Sequence, residues 1–519
     1  MKTILHGAVA LMLAATPALA QRLTIGVSAA PTSVDPHFHN GTSTQTLSYN
    51  LFDTLFLLTP EVSVAPGLAL SWRPIAETVW EIKLRPNVRW TDGRPFTADD
   101  VAFTVQRAPN VPNTTGGYGG AVRPITRVEV VDALTIRFHT NGPAPNLAVD
   151  MSGLAIVSRH AGEGATTEDY NAGRAAIGTG AYRLLRYSTN EQTELVRNED
   201  WWGPRPDWDS AIIKYLPNAA ARTAALLSGT VDLIDTPSPN DLPRLQSDPR
   251  FAVHSRQGMR LIYLAPNQAA EVAPFVTDHE GRPLPRNPLR DQRVRQALSI
   301  AINRAGLADR VMQNTATPNG QWMPSFSPAY NPDVPVPPFD PERARRLLAE
   351  AGYPQGFRIT VHVSATSRPT DSIAAQAIGQ MWTRIGVQTQ VEAVPFAAYA
   401  ARAANLEYAV SMFGWASQTH AGYALVSLFN TYSRERLTGS FNRSGYSNPT
   451  LDALTDRALK TLDDGQRDGM LRQAVAMAME DVGIIPLYQM TNFWASRRGV
   501  TYGATGYDYT RITQARMSR

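Results

Sequence analysis

Trp80-Glu81-Ile82-Lys83-Leu84-Arg85-Pro86-Asn87-Val88-Arg89-Trp90-Thr91-Asp92-Gly93-Arg94-Pro95-Phe96-Thr97-Ala98-Asp99-Asp100-Val101-Ala102-Phe103 changes hydrophobic period along its length. Trp80, Ile82 and Leu84 alternate with Glu81 and Lys83, the period of a strand with one buried face. Thr97-Ala98-Asp99-Asp100 then reads as an N-terminal capping box ahead of Val101, Ala102 and Val105 on one helix face. Asp99 and Asp100 also offer a carboxylate pair for acid–base work, but capping accounts for both. A strand giving way so soon to a helix is the mark of a mixed α/β chain.

The same mixture continues outward. Residues 23–27 read as a strand, residues 128–138 as a hairpin turning at Asp132-Ala133, and residues 184–197 as another broken by Ser188-Thr189-Asn190. Asp340-Pro341-Glu342 supplies an N-cap, an N1 proline and a first-turn acid, with Ala344, Leu347, Leu348 and Ala351 at helical spacing and Gly352 as the stop. Val294, Ala297, Leu298 and Ala301 repeat that spacing after Asp291, and Asn448-Pro449 opens a helix bearing Leu451, Leu454 and Ala458. No internal repeat marks a solenoid. The Gly-rich 116–120, the Pro-rich 282–288 and 331–338 read as loops at candidate boundaries.

At 519 residues, with 43% hydrophobic and 18% charged residues, the chain is long enough for two or three domains and has a globular balance. Mean hydropathy is −0.24, formal charge +4 and pI about 9.2. Arginine supplies 45 of the 49 basic groups. These alternate with acids, as in residues 341–350, which is a solvated helix face rather than the continuous basic stripe that nucleic acid requires.

Residues 1–20 read as a secretory signal: Lys2, an apolar stretch over 8–15, then Ala18-Leu19-Ala20 before Gln21. The segment is too short to span a bilayer, and no later run reaches that length. Gln21 in place of cysteine offers no lipid-anchor site, so a soluble periplasmic protein is expected. Cysteine is absent, which removes disulfides, thiolate metal sites and cysteine nucleophiles. No lysine follows a glycine, so there is no Walker A phosphate loop.

Gly178-Thr179-Gly180 and Gly117-Tyr118-Gly119 lack the third glycine of a dinucleotide fingerprint and read as turns. There is no G-x-S-x-G elbow and no H-E-x-x-H. His37 and His39 have the spacing of two ligands on one side of a strand, with only Asp35 nearby, and no metal or cofactor is expected. Ten tryptophans are spread along the chain. Most suit a core, and a few placed in a cleft would give a ligand broad apolar contact.

The stretch 80–103 resembles family 5 of the bacterial extracellular solute-binding proteins, the periplasmic receptors of dipeptide, oligopeptide and nickel ABC importers. Further matches follow in family order: Gly178-Thr179-Gly180-Ala181-Tyr182, residues 198–202, 291–298 and 339–353, Tyr446-Ser447-Asn448-Pro449, and Ile485-Pro486-Leu487-Tyr488. The resemblance implies a two-lobed periplasmic binding protein fold (type II, cluster C) with an extra subdomain in lobe I. Lobe I would comprise residues 21–265 and 485–519 with the subdomain inserted over about 47–170, and lobe II residues 266–484. The chain would cross between lobes near 261–267 and return near 484–489. It implies a non-catalytic monomer that closes on a short peptide and delivers it to the permease subunits of an inner-membrane ABC transporter, with no nucleic-acid partner.

The resemblance also implies site residues. In the dipeptide-binding branch an arginine in a Ser-Arg-Pro segment grips the ligand carboxylate, and Ser367-Arg368-Pro369 matches it, which marks Arg368; the rival role is a loop ion pair with Asp371. That branch carries an aspartate soon after a Gly-Trp pair to hold the peptide ammonium. Here Gly414-Trp415 is followed by Ala416-Ser417-Gln418-Thr419-His420-Ala421-Gly422, with no acid. Trp415 remains a stacking surface and His420 a possible hydrogen-bonding or ligating group. The missing acid means that another carboxylate substitutes or that the ligand is not a free-amine peptide but a metal chelate, opine or oligosaccharide. A secreted two-domain hydrolase is the rival of a different class, and no nucleophile–base motif supports it.

Overall fold

The computed structural model describes residues 21–518 apart from 62, 115, 366–368 and 417–420. The expected leader, residues 1–20, and the site candidates Arg368 and His420 lie outside the described residues.

The strand–helix reading of residues 80–103 holds. Strand Val79–Leu84 is followed by helix Ala98–Arg107. The capping box forms, with Thr97 N donating to Asp100 Oδ2 at 2.9 Å. Asp100 also accepts from Arg159 N at 2.8 Å and Trp90 Nε1 at 3.3 Å, so its carboxylate is committed to structure. Both expected hairpins form, as do the three helices capped by Asp291, Asp340 and Asn448.

Val79–Leu84 belongs to an antiparallel four-stranded sheet ordered Ala69–Ala76, Val79–Leu84, Thr135–Thr140, Ile125–Asp132. Helix Ala98–Arg107 packs Val101 and Val105 into one core with Ile82, Trp90, Phe96 and Phe138. Besides two two-stranded ribbons, Phe56–Leu58 with Val64–Pro66 and Val500–Tyr502 with Ala515–Met517, the other sheet is twelve-stranded and mixed, and its middle is two long antiparallel strands, Phe251–Pro266 going out and Ile485–Arg497 returning. On one side of this pair, Arg22–Val27 runs parallel to Ser210–Tyr215 and Leu233–Asp235. On the other, Phe357–Ser364 runs parallel to Val387–Val394 and Val410–Ala416. Each half has its own core: Leu23, Ile25, Ile213, Leu233 and Trp494 in the first, Leu298, Ile359, Val361, Ile378 and Trp382 in the second. Fully buried Trp382 donates Nε1 to Leu298 O at 2.8 Å, so the ring fills the second core without stranding its polar atom.

The long pair is interrupted where it passes between the halves. Gln257 pairs with Thr491 and Leu261 with Gln489, so residues 258–260 oppose Met490 alone. Such a bulge bends the strand and re-aims its side chains. Gly258 is required there, because a Cβ would lie 2.8 Å from Asn492 Oδ1 and 2.9 Å from Met490 O. The tail locks the bulge from outside, with Gly506 O accepting from Met259 N and from Asn492 Nδ2, both at 3.0 Å.

Candidate ligand-binding cleft

The bulge turns Arg260 into a cavity of about 670 Å³ whose lining comes from both sides of the crossing. One wall carries Tyr118, Arg123 and Asp150, the facing wall carries Ala416 and Tyr423, and Arg260 and Asp508 sit between them. A second cavity of about 550 Å³ shares Arg123, Pro124, Asp150 and Tyr423 and extends past Tyr432, Leu437 and Leu459. The two adjoin at these shared residues and have the size and mixed polarity that a small organic ligand requires.

The first wall is built on the Gly-rich 116–120 segment. Gly116 O accepts from Asn40 N at 2.7 Å, and a Cβ on Gly117 would meet Thr114 Oγ1 at 2.9 Å, so the loop lies flat against its support. Tyr118 projects inward and is buried, and burial pushes its hydroxyl up to about 12, with hydrogen bonds to Gln45 and Tyr49 partly offsetting this. Behind it Tyr49 meets Tyr509 edge-on at 5.0 Å, and the Arg511 guanidinium lies 4.7 Å over the Tyr49 ring. This packed aromatic floor fixes the wall.

The facing wall is built differently. Strand Val410–Ala416 ends at the cleft, and the helical turn Ala421–Ala424 runs into a π-helical turn, Leu425–Phe429, a distortion that recurs at functional sites. Half-buried Trp415 stacks on Tyr423 with ring centroids 5.8 Å apart and meets Phe441 edge-on at 5.0 Å. Tyr423 is 45% exposed and Tyr432 66% exposed. An aromatic face left in water beside a cleft is a surface for an apolar part of a ligand.

Charge is concentrated at three places. Arg260 Nη2 lies 3.4 Å from Asp508 Oδ2, and strand pairing sets Arg260 opposite Ala416. Asp150, half-buried at the end of the short helix Leu147–Asp150, has its carboxyl pushed up to about 7 by burial, which the nearby Arg123 charge only partly offsets. Arg434 lines the outer cavity.

Of the site residues expected from the sequence, Trp415 supports the cleft wall through Tyr423 and Phe441 rather than lining either cavity itself. Its indole N–H is buried and finds no partner among the described residues. The chain enters the undescribed segment holding His420 directly from the cleft-lining Ala416, and that holding Arg368 just beyond strand Phe357–Ser364. Sequence reasoning missed Tyr118, Asp150, Arg260, Asp508 and Tyr423. The glycine run around Tyr118 is the available signal, and in the sequence it reads as a turn at a candidate boundary. His37 is a structural residue: its ring nitrogens lie 2.8 Å from Ala155 O and 2.9 Å from Arg107 Nη1. Among the described residues no three His, Cys, Asp or Glu side chains gather as a metal site. Gly178 and Gly180 serve a close approach, since a Cβ on Gly178 would lie 1.8 Å from Leu51 O.

Known proteins share this architecture. Heme-binding protein A of Haemophilus influenzae is 29% identical over 86% of this chain and 83% of its own length. The dipeptide-binding protein of Escherichia coli is 27% identical over 94% of this chain and 93% of its own. The solved structure of HbpA2 from Haemophilus parasuis superposes with a TM-score of 0.83 at 26% identity, covering 96% of this chain and all of that one. The family described as bacterial extracellular solute-binding proteins, family 5 Middle, matches residues 63–435. A two-lobed α/β scaffold with a solute cleft and no reaction to perform is what this family provides, and the chain belongs to family 5 of the bacterial extracellular solute-binding proteins.

Proposed function

We propose that the protein is the periplasmic receptor of an ABC importer and captures a short peptide between two closing lobes. The observation that carries this is the cleft itself: walls from opposite sides of a two-strand crossing, one rigid and polar, the other aromatic and exposed. A ligand touching both walls stabilises the closed arrangement more than the open one, so closure reports occupancy to the permease subunits in the membrane. Lobe I then comprises residues 21–265 and 485–519 with the subdomain over about 47–170, and lobe II residues 266–484, a division supported by the separate cores on either side of the long strands. Arg368 grips the ligand carboxylate, Trp415 backs an apolar side chain through Tyr423, and His420 offers a hydrogen-bonding or ligating group. The peptide class is supported by the likeness to the dipeptide-binding protein of Escherichia coli across nearly the whole of both chains.

One observation favours a second reading, a ligand without a free ammonium: residues 416–422 carry no acid. Thermal unfolding of residues 21–519 with dipeptides, tripeptides, sugars and nickel chelates separates the two. The peptide reading requires the melting temperature to rise with di- or tripeptides through linkage. A rise only with sugars or chelates selects the second reading, and consumption of any added compound would mean catalysis.

A further inference from the structure

Exposed apolar side chains gather at one end of the cleft. Tyr423, Tyr432 and Leu437 lie close together in the chain and all line the outer cavity of about 550 Å³, with Tyr432 66% and Leu437 56% exposed. A single apolar residue in water is ordinary, but a group lining one concavity marks a surface that an apolar group covers. The loop that carries two of them is built rather than loose. Ser433 and Thr438 exchange both backbone hydrogen bonds at 3.1 Å, and Thr438 Oγ1 donates to Thr431 O at 2.7 Å. Gly439 N donates to Val426 O at 2.8 Å, which ties the loop to the π-helical turn Leu425–Phe429. Within this frame Leu437 is held at φ +57°, a conformation that bulky residues rarely adopt. A backbone cost kept for a side chain that stays mostly in water points to a use outside the core.

Across the cavity stand Pro124, Pro143 and Pro145, whose rings fix the backbone, with buried Leu147 beside them. Residues 141–147 include no charged side chain. Arg260 and Asp508 line the inner cavity instead, and Arg123 and Asp150 stand where the two cavities adjoin. The chemistry is therefore divided, with ionic groups inside for a peptide main chain and two preformed apolar faces outside for a side chain. We propose that the outer cavity is a specificity subsite that receives a bulky apolar side chain of the ligand between Tyr432 and Leu437 on one face and Pro143 and Pro145 on the other. This rests on the peptide reading above and names its substrate class: short peptides bearing an aromatic or large aliphatic residue. Cationic side chains are disfavoured there, because Arg123 and Arg434 line the same cavity against one acid, Asp150.

The test is calorimetric titration of residues 21–519 with alanyl-alanine, alanyl-phenylalanine, phenylalanyl-alanine, alanyl-lysine and lysyl-alanine, both orders being used so that the peptide's direction is not assumed. The better phenylalanine peptide is expected to bind roughly 30-fold or more tightly than alanyl-alanine, and neither lysine peptide to share that gain. Tyr432→Ser and Leu437→Asn, the latter suited to a left-handed backbone, should each cut the phenylalanine preference about fivefold or more while alanyl-alanine binds as before. A ratio of two affinities is read, so general loosening of the fold does not imitate the effect. Equal binding of phenylalanine and alanine peptides by the wild type, an equal gain with lysine, or an undiminished preference in both variants overturns the subsite while leaving the peptide reading standing. Failure of all five to bind, with melting unshifted across a di- and tripeptide panel, overturns the peptide reading and the subsite with it.

Discussion

Two arginine–aspartate neighbourhoods in the molecule look alike by composition and behave oppositely. Under helix Ala98–Arg107, Asp35 takes both Arg107 nitrogens at 2.6 and 2.9 Å, with Thr167 Oγ1 at 3.1 Å and the His37 backbone N–H at 3.1 Å. Burial alone would raise the Asp35 carboxyl, but Arg107 outweighs it and holds the group below its ordinary value. His37 is driven down to about 4 by burial and then by the Arg107 charge. In the cleft the balance is reversed, since burial of Asp150 outweighs Arg123 and its carboxyl rises. The first cluster is saturated and holds its elements together, whereas in the second the burial of the acid beside a cavity dominates its electrostatics.

The comparison breaks most readily at the saturated cluster. Arg107→Ala leaves Asp35 buried without its cation and should cost about 3–5 kcal/mol in urea unfolding, whereas Asp150→Asn removes a carboxyl whose charge burial disfavours and should not lower stability at pH 7. Equal losses would erase the distinction. Next, the His37 imidazole binds its proton more weakly in the folded state, so the unfolded chain holds more protons between about pH 6.5 and pH 4. Stability is lost as pH falls through that window, and His37→Gln should flatten the slope of unfolding free energy against pH there. An unchanged slope would show that His37 titrates alike in both states. On the cleft side, Tyr423→Ala should weaken ligand binding roughly tenfold while leaving the unfolding midpoint almost unmoved, as expected for a 45% exposed ring. A shifted midpoint with unchanged affinity would make it a structural residue. The pH effect at Asp150 has the opposite sign to that of His37. Folded Asp150 holds a proton that the unfolded chain has released between about pH 4 and 7, so its contribution falls as pH rises, and Asp150→Asn should remove that decline.

Local signals in the sequence reported local structure well. Thr97 through Asp100, Asp340-Pro341 and Asn448-Pro449 cap helices because a cap is made by residues within one turn of each other. The long strand Phe251–Pro266 was not legible, since its first half is only partly covered while its second is buried on both faces, and neither gives clean alternation. The cleft was legible only through the family resemblance, and then chiefly in segments following Ser364 and Ala416. Asp150, Arg260 and Asp508 lie far apart in the chain and meet because a bulge at 258–260 and a one-turn helix aim them at one cavity. No spacing rule reports such a meeting.

The central claim is that the two walls approach each other when ligand is held between them. The chain contains no cysteine, so Gly142→Cys near the first wall and Lys460→Cys beside the second can be spin-labelled as a single pair. Inter-label distances measured by double electron–electron resonance, with and without the peptide that gives the greatest melting shift, should move to a shorter, narrower distribution on saturation. A distribution unchanged by saturating peptide would contradict the account, because binding would then proceed without closure.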